Sequence, residues 1–232
     1  MDKQFKLMAW CSPAYPTGAF SYSHGMEWAV ERGSVVTLEG LLEFVSAVLE
    51  RGGGWVDAVL FAHAWRAASQ PPAIWERRAR AQLREVAELA GAFRGTAETA
   101  LESRQQGAAF LQVTVKAWPH PRLSEFAADV HGQPTAQCVA VAAACAIHGI
   151  ALSVAIHAFI QGIAANLVSA GARLIPLGQT DAQIAMARLA PVVAANAVRA
   201  ISVDLDDLGT CAPALELCSM HHETQYTRLF RS

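Results

Sequence analysis

Residues 137–172, "QCVAVAAACAIHGIALSVAIHAFIQGIAANLVSAGA", decide the fold. They lie inside a longer run, residues 130–172, that contains no Asp, Glu, Lys or Arg. Alanine is the strongest helix former, and Gly149 interrupts the run. The stretch is rich in small residues and also holds His157, Gln161 and Asn166, whereas a lipid-facing helix favours Leu, Ile and Phe. It therefore predicts two buried, closely packed helices rather than a membrane span.

The rest of the chain also has helical periodicity, and the best alternating stretch, "FLQVTV" at residues 110–115, lies in a helix-like neighbourhood. Thr37 is a suitable cap for a helix with one apolar face, and the triple glycine at 52–54 should end or bend that helix. Further helices are predicted over 55–68, 74–89, 96–116 and 123–130.

The segment "LGQTDAQ" restarts a helix, for which Thr180 and Gln183 have capping-box spacing. Pro191 should kink this helix or divide it. We predict an all-α fold: one helical-bundle-like domain over residues 1–218 with an extended N-terminal segment, followed by a C-terminal tail at 219–232.

Composition bounds the possible functions. The 232 residues are 53% hydrophobic and 16% charged, below the usual quarter, which indicates an extensive buried surface in the core or between subunits. The net charge of −2 does not favour nucleic-acid binding. The five cysteines include no C-x-x-C pair and no signal-peptide pattern is visible, so we expect a reduced, cytoplasmic protein.

No motif for cradling nucleoside phosphates is present, and nothing local supports nucleophilic catalysis at Cys11 and Ser12, where a distant His would have to act as the base. No set of residues resembles a closed metal site, and most His and Cys side chains are interpreted as buried core groups. A metal at the adjacent pair His221 and His222 stays open as an alternative. The acidic residues at 204, 206 and 207 are interpreted as a solvated loop.

The stretch "SPAYPTGAFSYSHGMEWAVERG", residues 12–33, allows two interpretations. Prolines impose extended geometry, Gly18 permits a tight turn, and Ser21 or Ser23 can cap a helix whose start carries Glu27. The stretch is therefore either a helix entry or a surface that presents its aromatic residues to another molecule.

The tail "SMHHETQYTRLFRS", residues 219–232, carries Tyr226, Leu229 and Phe230 at helical spacing beside Arg228 and Arg231. Ordering about ten residues costs on the order of 10–20 kcal/mol of backbone entropy. Burying the three apolar side chains returns only about 1.5–3 kcal/mol each. This comparison predicts a tail that is loose in the free protein and folds against a partner.

These two stretches, together with "SRQQGAAFL" at 103–111 and "IQGIAANLVSAGARLIPLGQTDAQ" at 160–183, resemble the urease accessory protein UreF family. The resemblance implies an all-helical, dimeric, cytoplasmic accessory protein that is not an enzyme, and no cofactor is expected. It implies binding to the accessory protein UreD (UreH) and to the GTPase UreG, and docking of that assembly on apo-urease for nickel insertion. The family's tail becomes ordered against UreD. His221 stands where many relatives of the family carry Arg, so a charge contact that those relatives make through this arginine is not expected to be kept by this chain.

We expect partner contacts from Tyr22, Glu27, Arg173, Gln179, His222, Glu223, Gln225, Tyr226, Arg228, Leu229, Phe230 and Arg231. Two alternative functions stay open: a GTPase-activating or GTPase-regulating protein that acts on UreG in trans, and an enzyme with a deep polar pocket.

The small residues of the block at 161–178 have two interpretations of their own. Gly162, Ala165, Ser169 and Gly171 are expected in a dense core, with Arg173 and Gln179 at an interface. A polar strip through Gln161 and Asn166, facing an interface or a hydrated path, is the alternative.

Overall fold

The computed structural model describes residues 2–133 and 135–232. Most of these residues are helical, and none of them forms a β-strand. The first half of the chain holds α1 (Lys3–Trp10), α2 (Met26–Glu31), α3 (Leu38–Arg51), α4 (Gly53–Ala68), α5 (Pro72–Ile74), α6 (Arg80–Ala92) and α7 (Ala97–Ala117). The second half holds α8 (Pro121–Asp129), α9 (Gln137–Ile147), α10 (Leu152–Leu174), α11 (Gln179–Ile201) and α12 (Pro213–His222). The all-α prediction is confirmed.

Short irregular helices connect several of these elements. A π-helical turn, Trp75–Ala79, joins α5 to α6. Two 3₁₀ turns, Ala19–Ser21 and Leu205–Asp207, lie in the N-terminal segment and before α12. The second of them carries Asp206 and Asp207, which are exposed as predicted.

The predicted caps and breaks of the first helices are confirmed. The Thr37 side chain accepts a hydrogen bond from the Gly40 amide at the start of α3. The helix ends at Arg51 because the triple glycine follows, and α4 begins within it at Gly53. Thr96 caps α7 in the same way through the Thr99 amide.

The charge-free stretch forms two helices that differ in burial: α9 is buried, as predicted, whereas α10 has an exposed face that includes Val154 and His157. In α9, Cys138 to Ala146 are buried against α4 and α7, and α10 packs on α11, α4 and α3. α10 and α11 are each long and apolar enough, by length and composition alone, to cross a membrane. This is weak support for a span because core helices of soluble proteins pass the same test.

The small residues of α10 divide between core and surface. A Cβ at Gly171 would lie 2.5 Å from Leu41 Cδ1, so close packing there requires glycine. Gly162 has open space around it, and Ser169 is exposed. The expectation of a dense core is therefore correct at Gly171 and wrong at Gly162 and Ser169, which line the partly open cavity described below.

Two predictions for α11 are corrected. The helix is capped at Gly178, whose amide donates to Asp181 at 2.9 Å, and not by Thr180. It also runs through Pro191 without division. Pro191 cannot donate to the carbonyl of Ala187, but both residues are exposed, so water can hydrate that carbonyl.

Both chain ends are more regular than predicted. The N-terminal segment is not extended throughout, because residues 3–10 form α1. The tail was predicted from residue 219, but α12 continues to His222. The irregular C-terminal tail therefore starts at Glu223, and this name is used below for residues 223–232.

Candidate partner-binding site at the C-terminal tail

The C-terminal tail lies against the body of the protein, and the Glu27 side chain holds it there. This carboxylate, at the start of α2, is buried. It accepts hydrogen bonds from the backbone amides of Leu229, at 2.6 Å, and Phe230, at 2.9 Å. Hydrogen bonds to a carboxylate are stronger than those to a neutral acceptor. The two tail amides therefore lose their bonds to water but gain stronger bonds to the buried Glu27 side chain.

The last two residues bond to the segment before α2. The Arg231 amide donates to the carbonyl of Ser21 at 2.8 Å. The carbonyl of Ser232 accepts from the Ser23 amide and hydroxyl, and the Ser232 hydroxyl donates to Glu102 Oε2 at 2.9 Å. Ser232 is consequently buried although it is the last residue.

Phe230 is the apolar attachment of the tail. Its ring is only 3% exposed, and the Arg173 guanidinium lies 4.4 Å from the ring centroid. Arg173 Nη2 also donates to the carbonyl of Phe20 at 2.8 Å. Arg173, predicted at an interface, thus bridges the tail and the N-terminal segment within one chain.

Just before the tail, His222 is fully buried between two carboxylates. Its Nε2 lies 3.1 Å from Glu27 Oε2, and its Nδ1 lies 2.8 Å from Glu98 Oε2. The second Glu98 oxygen accepts from Arg228 Nη1 at 2.8 Å. Burial raises the pKa of Glu98, and the hydrogen bond from His222 and the charge of Arg228 oppose that rise. Below, the buried histidine cluster means Glu27, Glu98, His222 and Arg228.

This docked position corrects the expectation of a loose tail. That expectation weighed backbone entropy against the burial of three side chains, and of these only Phe230 is buried. It left out hydrogen bonds to charged groups, each worth about 1.5–3 kcal/mol. The acceptors, Glu27 and Glu102, lie far away in the sequence, so the tail sequence alone does not reveal them.

The outer side of the tail is free. The Tyr226 side chain is fully exposed, and Leu229 is 65% exposed. Phe20, whose carbonyl bonds to Arg173, is equally open to solvent. Exposed large apolar groups on a fixed backbone are typical of binding surfaces.

The structure separates the predicted site residues into two groups. Those buried in intramolecular contacts are Tyr22, Glu27, His222, Gln225 and Phe230. Those exposed are Arg173, Gln179, Glu223, Tyr226, Arg228, Leu229 and Arg231. Gln179, at the start of α11, does not take part in the tail contacts described above.

The sequence prediction missed the carboxylates of α7. Glu98 and Glu102 are buried and four residues apart, so they lie on one face of the helix and point to the tail. The signal was present, because two acidic residues share a helix face that also carries Gln106 and Phe110.

A partly open cavity of about 590 Å³ has a mostly apolar lining, with the polar side chains of His24, Asp57, Arg94 and Glu102 on part of its wall. Arg94 pairs with Asp57, and His24 bonds to Glu102 at 2.9 Å. Burial lowers the pKa of His24, but the charge of Glu102, the hydrogen bond to it and the charge of Asp57 together outweigh burial, so the net shift is upward.

Both histidines of the alternative metal site at residues 221 and 222 already contact other side chains. His221 stacks on Trp28 with ring centroids 5.1 Å apart, and His222 lies between its two carboxylates. Across residues 2–133 and 135–232, no three His, Cys, Asp or Glu side chains are grouped to hold a metal ion. The planar guanidinium of an arginine, which many relatives carry at position 221, could stack on Trp28 as the His221 ring does.

The sequence was compared with known proteins. The sequence model of one family, described as UreF, matches residues 35–190. The urease accessory protein UreF of Rhodopseudomonas palustris strain TIE-1 is 48% identical over 228 residues, covering 98% of this chain and 92% of the relative. Proteins with the same name from Bradyrhizobium sp. strain BTAi1 and Granulibacter bethesdensis are 46% and 45% identical, again over 98% of this chain and over 91% and 93% of their own lengths. The chain therefore belongs to the UreF family of urease accessory proteins.

Proposed function

We propose that this protein acts in nickel insertion into apo-urease, as a cytoplasmic scaffold that bridges UreD and the GTPase UreG. It works as a homodimer and catalyses no reaction of its own. Family membership supports the role in urease maturation, since the relatives are named urease accessory proteins. The finer steps are part of the proposal.

The observation that supports a UreD site is the C-terminal tail. Its backbone is fixed by Glu27, while Tyr226 and Leu229 stay open to solvent. A preformed surface loses little conformational entropy when it binds, so exposed tyrosine and leucine side chains on it can contribute to affinity. The tail thus acts as a docked ridge that UreD contacts from outside.

The test is the affinity of UreD for Tyr226→Ala. Truncating a tyrosine at the centre of an interface typically costs about 2 kcal/mol or more, so we expect a loss of binding of roughly 30-fold. The control is Phe5→Ala, which also removes an exposed aromatic ring, 61% exposed, but from α1. Helix content by circular dichroism should be unchanged in both variants.

The proposal for this surface fails if Tyr226→Ala binds UreD as tightly as the Phe5→Ala control. The control also reports whether the loss of any exposed aromatic group weakens the complex.

GTPase regulation in trans is the second candidate. A guanidinium supplied to a neighbouring GTPase must be exposed, and Arg231 meets this requirement while its backbone amide is bonded to Ser21. Turnover of GTP by UreG separates the two functions: an activator accelerates it when added alone, whereas a scaffold requires the assembled complex.

A further inference from the structure

An open groove lies between the C-terminal tail and α7, and its walls combine apolar and cationic side chains. It is lined by Glu98, Leu101 and Gln105 of α7 and by residues 228–231 of the tail. Leu101 is 44% exposed and Leu229 is 65% exposed, so each wall presents one leucine side chain to solvent. We call this surface the tail groove.

The exposed charges of the tail groove come from arginine. Arg228 and Arg231 belong to its tail wall, and both are exposed. On α7, Arg104 is exposed and follows Leu101 by three residues, so the two side chains share one face of the helix. A protein with a net charge of −2 thus places three guanidinium groups around two exposed leucines.

The acidic residues near the tail groove are either buried or lie outside it. Glu98 is a buried member of the buried histidine cluster, where it contacts His222 and Arg228. Glu102, the other acidic residue of α7, is also buried. Glu223, the one acidic residue of the tail, does not line the groove. Among the described residues that line it, none is an exposed acid, so the groove offers positive charge without exposed negative charge.

These properties fit a chain segment in which acidic side chains flank an apolar one. An apolar side chain between the two leucines leaves water, and a carboxylate can accept two parallel hydrogen bonds from one guanidinium. We propose that the tail groove binds a segment of UreD that carries an apolar residue flanked by Asp or Glu. This inference rests on the proposed function, which assigns the tail to UreD, and it extends the contact surface to Leu101 and Arg104 of α7.

The same charges disfavour a second copy of this chain as the occupant. In a two-fold symmetric dimer, identical patches face each other. Two tail grooves in that arrangement would place guanidinium groups opposite guanidinium groups, and like charges across an interface reduce its stability. A partner of opposite charge avoids this cost.

The test is the affinity of UreD for the full chain with Arg104→Glu, measured at two salt concentrations. Arg104 bonds to the carbonyl of Ala100 in its own helix, so the substitution leaves the contacts that hold the tail in place. We expect about tenfold weaker binding at about 50 mM salt. Because salt screens exposed charges, the loss should shrink to about threefold or less at about 500 mM salt.

Lys116→Glu is the matched control. Lys116 is exposed on the same helix but lies in its last turn, outside the tail groove, and the substitution changes the net charge by the same amount. It should weaken binding by no more than about twofold. Leu101→Ala tests the apolar part of the groove and should weaken binding by about fivefold at both salt concentrations.

The proposal is overturned if UreD binds Arg104→Glu as tightly as Lys116→Glu, or more tightly, because the partner segment would then be uncharged or basic. It is also overturned if Arg104→Glu changes only the oligomeric state of this chain, because a second copy would then occupy the groove. Circular dichroism should show unchanged helix content in every variant.

Tyr226→Ala distinguishes failure of this inference from failure of the proposed function. If Tyr226→Ala weakens UreD binding and Arg104→Glu does not, UreD contacts the tail but its segment is not acidic, and only this inference fails. If neither variant weakens binding, the UreD site lies elsewhere and the proposed function of the tail fails as well.

Discussion

At the scale of single residues, Arg94 and Asp57 form a largely buried ion pair in which two guanidinium nitrogens contact the carboxylate. Burial alone would lower the pKa of Arg94, but the charge of Asp57 and the hydrogen bonds to it raise that pKa above its ordinary value. The pair lies beside the cavity, between α4 and the loop that precedes α7. Both side chains are largely buried, with 8% of Arg94 and 13% of Asp57 exposed.

Arg94→Ala should therefore destabilise the protein strongly. Removing one partner of a buried pair leaves an uncompensated charge and costs about 3–5 kcal/mol. The measurement is the free energy of unfolding in urea. Arg188→Ala is the matched control, because Arg188 makes the same kind of contact to Glu39 with both side chains largely exposed, and such pairs contribute at most about 1 kcal/mol. Equal losses in the two variants would contradict the importance of burial at Arg94.

The sequence could not predict such pairs. Asp57 and Arg94 are 37 positions apart, and Asp57 lies within an apolar helix where its partner cannot be inferred from spacing. Helix periodicity reports which face of a helix is buried, but not which polar group of another helix reaches it. Glu98 and Glu102 differ from this pair, because their shared helix face was visible in the sequence and only their partners in the tail were not.

At the scale of elements, the contact between α2 and α12 determines where the tail begins. Gly25, the residue before α2, has a φ of 77°. A Cβ at this position would lie 2.5 Å from the Ser219 amide nitrogen and 2.7 Å from the Cys218 carbonyl carbon. Only glycine lets the backbones of α2 and α12 approach so closely.

Gly25→Ala should separate these helices. A positive φ costs an alanine roughly 1–2 kcal/mol, and the overlap with α12 adds about 1–3 kcal/mol of overpacking. Gly33→Ala is the control, because its φ of 73° gives the same backbone cost while nothing lies within 4 Å of the added Cβ. The free energies of unfolding should differ by the overpacking contribution alone. A Gly25 variant as stable as the Gly33 variant would mean that α12 is not seated as described.

Most helices could be predicted from the sequence, because their signals are local. Thr37 and Thr96 cap helices through amides three residues away, and the triple glycine ends α3 where expected. Division of the helix at Pro191, one of the two predicted outcomes, does not occur, because the freed carbonyl has access to solvent, which is a property of the fold.

At the scale of the whole molecule, the tail joins the two ends of the chain. Leu229 bonds to a side chain 202 residues earlier, and Ser232 bonds to Ser23 across 209 positions. Contacts of this length leave no periodic signal in the sequence. The family resemblance could be recognised from the motifs, and the comparisons confirm it. The expectation of a loose tail was an energetic argument that lacked these contacts.

The central claim is that the C-terminal tail is a folded part of the free protein, with Tyr226 and Leu229 facing outward. The most direct measurement is hydrogen exchange of the Leu229 and Phe230 amides in the isolated chain near pH 6.5. Because both amides donate to the buried Glu27, exchange should be slower than in an unstructured peptide by about a hundredfold or more. Exchange of both amides at the rate of an unstructured peptide would contradict the claim.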